Sequence, residues 1–252
     1  MFEIIQGGGV TTAQGFKAGA VSAGLKTETG VLDLGLLVSN KRAVVAATFT
    51  RNSIESPSVT VSRRRLKKGY ARGVIANSGC ANCSVGVQGH LDAEEMASLA
   101  ADLIGVKSDE LFVASTGMIG VELPMGLIRR NMGNITLTES GGTDFSKSIM
   151  TTDSHNKEIA VSFTVDGKAV RLGGAAKGVG MIHPNMATML CFMTTDANVQ
   201  PEFLQHTLSE AVDASFNMID VDGDQSTNDT VVILANGTSD TALIEKDTDG
   251  AL

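Results

Sequence analysis

Residues 175–195 read AAKGVGMIHPNMATMLCFMTT, and the reading of that stretch decides how the rest of the chain is understood. A glycine-bearing approach (Lys177, Gly178, Gly180) leads to a rigid turn at Pro184. A small residue and a hydroxyl follow, Ala187-Thr188, and then the apolar run Met189-Leu190-Cys191-Phe192-Met193. A hydroxyl at the mouth of a buried apolar strand, with a lysine close by, suits a nucleophile made by self-cleavage. If the chain breaks between Ala187 and Thr188, the threonine gains a free α-amine beside its own hydroxyl, nucleophile and base in one residue. The same letters also describe an ordinary loop feeding a core strand, with Thr188 as one β-branched residue among many. Spacing alone favours the ordinary loop, because a lone Ala-Thr pair has almost no specificity.

Outward from this stretch, short apolar runs alternate with turn signals. Residues 31–38, 42–50, 72–76, 110–114 and 230–235 read as strands. The clearest hairpin runs over 158–165, turns on Asp166-Gly167 and returns over 168–172, because Asp-Gly supplies the two positive-φ positions of a tight turn. Helical spacing appears over 91–104, from Pro201 onward, where Leu204, Leu208, Ala211 and Val212 share a face, and in a shorter piece over 143–150. Such irregular alternation predicts a layered α/β or α+β protein rather than a doubly wound nucleotide fold. Gly7-Gly8-Gly9 lacks the Lys-Ser/Thr of a phosphate loop. The main domain is expected over 1–240, with 241–252 as the start of a further C-terminal domain.

The totals narrow the function classes. A chain of 252 residues, 42% hydrophobic, can bury a large core. Its net charge of −8 argues against nucleic acid or an anionic membrane as the main partner. The basic run Arg63-Arg64-Arg65 with Lys67-Lys68 reads as a solvated face between strands. Three cysteines do not describe a disulfide framework, which points to a reducing cytoplasm. Cys80-Ala-Asn-Cys83 is formally a CxxC, yet no second pair or nearby histidine pair completes a metal site. Both cysteines read as packing residues, and His90, His155, His183 and His206 as structural or solvent-facing.

Two other places could carry chemistry. In Ser115-Thr116-Gly117 a strand ends on a hydroxyl followed by glycine, which can present a side-chain O–H and a backbone N–H at one point, as an oxyanion requires; common turn chemistry uses the same letters. Met150-Thr151-Thr152-Asp153 offers two hydroxyls and a carboxylate, suited to the amide or α-carboxylate of a small substrate or to a polar helix end. The acidic stretch 220–229 lacks the spacing and closing glutamate of a calcium loop and reads as loop structure.

GGGVTTAQGFKA, ANSGCAN, KGVGMIHPNMATML and VDGDQSTNDT resemble, in the same order and over essentially the whole chain, blocks of the ornithine acetyltransferase family. The resemblance implies a layered α-β-β-α sandwich related to N-terminal-nucleophile hydrolases. It implies a glutamate N-acetyltransferase of arginine biosynthesis that moves acetyl from N-acetylornithine to glutamate, with acetyl-CoA as a co-substrate in some members and no resident cofactor or metal. It carries Thr188 over as nucleophile, Thr116 and Gly117 as oxyanion hole, Thr151 and Lys177 as substrate-binding residues, and Ala187-Thr188 as the cleavage site. Cleavage would give an α piece, 1–187, and a β piece beginning at 188, paired in an α2β2 assembly. Family members continue past residue 252, so the far wall of the pocket is expected from residues this chain lacks. An N-terminal-nucleophile amidase or aminopeptidase, and an inactive fragment, are the alternatives.

Overall fold

The computed structural model describes residues 2–181 and 189–246. In chain order they form β1 (Glu3–Ile5), β2 (Phe16–Val21), β3 (Leu34–Phe49), α1 (Pro57–Leu66), β4 (Tyr70–Cys80), α2 (Gly86–Ile104), β5 (Leu111–Met118), α3 (Met125–Asn131) and α4 (Gly142–Ser148). Then come β6 (Lys157–Val165), β7 (Lys168–Lys177), β8 (Leu190–Thr195), α5 (Pro201–Asp213) and β9 (Thr230–Ala235). The strands hydrogen-bond in the order β1-β6-β7-β8-β9-β3-β4-β5, and β2 pairs with β3. Most neighbours are antiparallel; β4–β5 and β8–β9 are parallel.

The two strands expected over 31–38 and 42–50 are one strand of 16 residues. Exposed Asn40, Lys41 and Arg42 interrupt its apolar pattern and mimic a turn, but the backbone only bulges there, shifting register against β4 between Val38 and Ala43. Before the bulge β3 pairs with β2 and β4; after it, with β4 again at Ala43 and Val44 and with β9. One strand therefore joins two halves of the sheet.

Alternation along β3 assigns the layers. Leu34, Leu36 and Val38 pack with Met96 of α2 and Ile128 of α3. Ala46 packs on the other half with Leu204 and Leu208 of α5. The intervening Leu37, Ala43, Val45 and Ala47 face a single cluster that takes Phe112 from β5, Phe192 from β8 and Leu234 from β9. Helices thus cover the outer faces while the inner faces share one apolar core, which is the mixed α/β layering implied above. Phe145 of α4 seals that core edge-to-face on Phe192, centroids 5.4 Å apart.

The basic run lies on α1, not on a face between strands. Ser56 caps this helix by accepting from Val59 N–H, and Pro57 opens it. α1 lies along the free edge of β5: Ser62 Oγ donates to Val113 O (2.7 Å) and accepts from Val113 N–H (2.8 Å). Arg65, 3% exposed, reaches Leu111 O and pairs with Glu94. Unpaired edge groups are thereby satisfied by a helix instead of another chain.

The predicted hairpin stands and is longer, Lys157 to Lys177, with Val165 opposite Lys168 and positive φ at Asp166 (49°) and Gly167 (77°). Its length matters, because the returning strand ends on Lys177. Residues 241–244 are tied back to the segment before α5, where Gln200 N–H donates to Ile244 O and Ile244 N–H to Asn198 O.

Candidate active site

The ends of β5 and β7, the segment after α4 and the loop entering β9 converge on a cavity of about 280 Å³. Its walls include Thr116, Gly117, Thr151, Lys177, Thr227 and Asn228. Four residues singled out from sequence, Thr116, Gly117, Thr151 and Lys177, therefore sit in one pocket although 61 positions separate the first from the last. Ala187 and Thr188 lie outside the described residues, as do His183 and Pro184.

Lys177 Nζ donates to Thr116 Oγ1 at 2.9 Å, with both side chains buried. Burial pushes the Lys177 ammonium down to about 8, against the attraction of Asp153 and Asp229. A lysine that spends its proton on the threonine oxygen leaves the threonine O–H to point elsewhere. Gly117 has φ +132°, and a Cβ there would lie 2.3 Å from the carbonyl carbon of Gly79. The β4 and β5 backbones approach so closely that only glycine fits.

Two polar residues set the walls. Asn228 Nδ2 donates to Ala81 O (2.7 Å) and Ser115 O (2.8 Å), tying the β9 loop to the ends of β4 and β5. Asp153 Oδ1 accepts from Gly178 N–H (2.9 Å) and Oδ2 from Thr151 N–H (3.3 Å), and its carboxylate also pairs with Lys157. Burial alone would raise the Asp153 carboxyl, but the Gly178, Lys157 and Thr151 hydrogen bonds outweigh it and hold it below its ordinary value. Asp153 thus locks the residue after Lys177 to Thr151.

Where the described chain resumes, Met189 N–H donates to Asp229 Oδ1 at 2.9 Å, and Thr230 N–H donates to Met189 O at 3.1 Å. β8 starts at the next residue. Desolvation pushes the Asp229 carboxyl up to about 8.

This arrangement pairs a buried cation-and-hydroxyl donor with the start of the strand that Thr188 precedes. A match to the ArgJ family model over residues 17–251 accompanies it. The chain belongs to the ArgJ family. It is 45% identical over 251 residues to the arginine biosynthesis bifunctional protein ArgJ of Dehalococcoides mccartyi, covering 99% of this chain and 62% of that protein. It is 47% identical over 238 residues to the glutamate N-acetyltransferase of Methanocaldococcus jannaschii, covering 92% and 58%. The chain thus spans about three fifths of the length of these curated relatives. Among solved structures, the ornithine acetyltransferase of Mycobacterium tuberculosis, complexed with ornithine, superposes with a TM-score of 0.68 at 31% identity. That match covers 75% of this chain and all of the solved one. The L-aminopeptidase D-Ala-esterase/amidase of Ochrobactrum anthropi, a variant of the Ntn-hydrolase fold, matches at 11% identity with a TM-score of 0.56 over 91% of this chain and 74% of that one, which speaks to fold alone.

In this ArgJ-family chain the remaining candidates fall away from the cavity. Cys80, Cys83 and Cys191 are buried free thiols; Cys80 Sγ donates to Val121 O, and burial pushes the Cys191 thiol up to about 12. Among the described residues, no cluster of three or more His, Cys, Asp or Glu side chains is arranged to hold a metal ion. His155 contacts Ser154 and His206 pairs with Glu210, both on exposed positions. The acidic stretch borders the pocket: Asp222 accepts from Met181 N–H, and Ser226, Thr227 and Asn228 line the cavity. Among the described residues, no helix is long and apolar enough to cross a membrane. Asp229 and Asn228 were not predicted as site residues, since what distinguishes them, burial beside Met189 and across two strand ends, has no signal in local sequence.

Proposed function

We propose that this chain is the nucleophile-bearing part of a glutamate N-acetyltransferase that moves acetyl from N-acetylornithine to glutamate. The carrying observation is the Lys177–Thr116 hydrogen bond inside a cavity that also holds Gly117 and Thr151. The names of the curated relatives and the ornithine bound to the solved neighbour support the choice of substrates.

In the proposed cycle the chain first breaks between Ala187 and Thr188. The Thr188 hydroxyl attacks the acetyl carbonyl of N-acetylornithine and its proton passes to the Thr188 α-amine. Thr116 O–H and Gly117 N–H take the negative charge that forms on the carbonyl oxygen. The C–N bond breaks, the proton goes to the departing ornithine amine, and acetyl remains as a threonine ester. The glutamate α-amine then attacks that ester, loses a proton to the α-amine base, and leaves as N-acetylglutamate with the hydroxyl restored. An α-amine, with an ordinary pKa of ~7.7–8.0, is substantially neutral near pH 7 and suits the base role. The cycle needs no resident cofactor, and acetyl-CoA would act only as a second acetyl donor. The matched solved chain is covered in full by three quarters of this one, the same share as residues 1–187, which supports cleavage at that point. The two cleavage products would share the inner core, and the α2β2 assembly and cytoplasmic location are taken from the family resemblance.

Intact mass spectrometry, with Thr188→Ala as control, tests the processing step: wild type should give two pieces and the variant one. Acetyl transfer from N-acetylornithine to isotopically labelled glutamate tests the reaction. Free acetate without labelled N-acetylglutamate would identify a hydrolase instead, and an uncleaved wild-type chain would sink the proposal.

A further inference from the structure

The loop entering β9 reaches the cavity at Ser226, Thr227 and Asn228. Three successive carbonyls of this loop are fixed by the segment between β3 and α1. Asn52 Nδ2 donates to Gln225 O (2.9 Å), Thr50 Oγ1 to Ser226 O (2.6 Å) and Ser56 N–H to Thr227 O (3.0 Å). Asn228 N–H closes the loop on itself by donating to Ser226 Oγ at 3.0 Å. Thr227 is therefore held in place on the wall before any ligand arrives.

The Asn228 side chain fixes the sense of the Thr227 hydroxyl. Both protons of Asn228 Nδ2 are spent on Ala81 O and Ser115 O, which leaves Oδ1 toward Thr227 Oγ1 at 2.6 Å. An amide oxygen only accepts, so the single Thr227 proton is committed to it. The Thr227 oxygen keeps its lone pairs and has no proton left to give. It is an acceptor of fixed sense, tied through Asn228 to the carbonyl of the residue just before Thr116.

The rest of the wall is rich in donors. Lys177 occupies an acceptor site of Thr116 Oγ1, and no carboxylate is among the described residues that line the cavity. Thr151 and Thr152 stand on exposed positions, where water competes for their hydroxyls. An N-acyl amino acid brings one acceptor and one donor on the same amide. The oxyanion donors take its carbonyl oxygen, and its N–H needs an acceptor. An ester or thioester brings the same carbonyl without the N–H.

We propose that Thr227 is a substrate-binding residue whose Oγ1 accepts the amide N–H of the acetyl donor, so that the site favours amide donors over esters and thioesters. The identity of the donor rests on the acyl-transfer reading above. A preformed acceptor costs little ordering on binding. An ester oxygen placed there would set lone pairs against lone pairs, and a site built to meet an N–H discriminates against an analogue lacking it. The second half of the cycle forms an amide of the same kind, so the same oxygen faces the incoming amine.

The test compares N-acetylornithine with its oxygen analogue, 5-amino-2-acetoxypentanoate, in which an ester oxygen replaces the amide N–H. Both are given to the 252-residue chain as wild type, Thr227→Val and Thr227→Ser. Valine keeps the shape and removes the acceptor; serine keeps the acceptor. The expected result for Thr227→Val is kcat/KM for the amide about tenfold lower, with that for the ester unchanged or higher, and Thr227→Ser close to wild type for both. Amide and ester falling together, or neither changing, overturns the proposal. If the wild type transfers acetyl from neither compound, the functional reading fails and calorimetric affinities decide instead. Thr227→Val should then bind the amide about tenfold more weakly than wild type and the ester no more weakly. An amide affinity that is the same in both chains, or absent from both, overturns the proposal.

Discussion

Lys177 Nζ and Thr116 Oγ1 meet at 2.9 Å in a wall where each side chain is only 4% exposed. The lysine fills an acceptor site of the threonine oxygen, so the threonine proton must be directed away from it. A positive charge on that oxygen's partner also makes the O–H a stronger donor, and low local dielectric magnifies the effect. The pair therefore behaves as one device: Thr116 presents the proton and Lys177 aims and charges it.

Lys177→Met should expose that dependence. Methionine keeps the length and the burial, and removes the donor and the charge. Transfer activity, read as kcat/KM, is expected to fall by about 10²–10³-fold, the usual cost of losing one oxyanion donor. Thermal stability is expected to hold or rise, because a desolvated ammonium is replaced by an apolar side chain. A variant that loses activity only in proportion to lost folded protein would show that the lysine is structural.

The same burial gives the fold an uncommon pH profile. Lys177 titrates at about 8 in the folded chain against an ordinary 10.5. Between those values the unfolded chain binds the extra proton, so stability rises with pH there. Asp229 goes the other way, from 3.8 to about 8. Between those values the folded chain binds the proton, so stability falls as pH climbs. Together they place a minimum of their joint contribution near pH 8. Melting temperatures at pH 5, 8 and 10 should show Asp229→Asn flattening the acid-side slope and Lys177→Met the alkaline one. Variants that track wild type at all three values would contradict the assigned shifts.

Gly117 and Gly126 make a controlled pair. At Gly117 the backbone has φ +132° and an added methyl would meet Gly79 at 2.3 Å. Gly117→Ala should cost about 2–4 kcal/mol and lower the melting temperature by roughly 5–15 °C, abolishing transfer. Gly126 lies inside α3 with nothing within 4 Å of an added Cβ. Gly126→Ala should raise stability by about 0.5–1 kcal/mol. Equal effects in calorimetry would mean that the strand approach at Gly79 yields easily.

What the sequence showed and what it hid divide along one physical line. The 166–167 turn, the α5 start at Pro201 and the strand 230–235 depend on local chemistry, and all are legible. Thr116, Gly117, Thr151 and Lys177 were legible through motif resemblance and meet in one cavity. The continuity of β3 was hidden because exposed Asn40, Lys41 and Arg42 look like a turn, and only pairing with β4 and β9 carries the strand through. α1 was hidden because Val59, Thr60 and Val61 favour strands; tertiary contact with the β5 edge overrides that preference. Asp229 and Asn228 were hidden for a further reason: a carboxylate's burial is decided by strands far away in the chain.

Asp153 offers the last test, since it holds the pocket walls through backbone N–H groups while its charge favours the Lys177 ammonium. It accepts from Thr151 N–H and Gly178 N–H and pairs with Lys157, so it fixes both the hydroxyl-bearing wall and the residue after Lys177. Asp153→Ala leaves those two N–H groups without their acceptor. The expected cost is about 1.5–3 kcal/mol, with KM for the acetyl donor raised about tenfold and kcat changed less, because the wall moves while Lys177 keeps its hydrogen bond to Thr116 and loses only the more distant attraction of Asp153. Asp153→Asn keeps an acceptor and should recover most of the KM at neutral pH. The Asp153 carboxyl is held below its ordinary 3.8, so its stabilisation is complete above that value and disappears as pH falls through the lower folded one. Steady-state kinetics of the two variants decide the matter: a large loss in kcat with KM unchanged would place Asp153 at the reacting atoms instead of behind the wall.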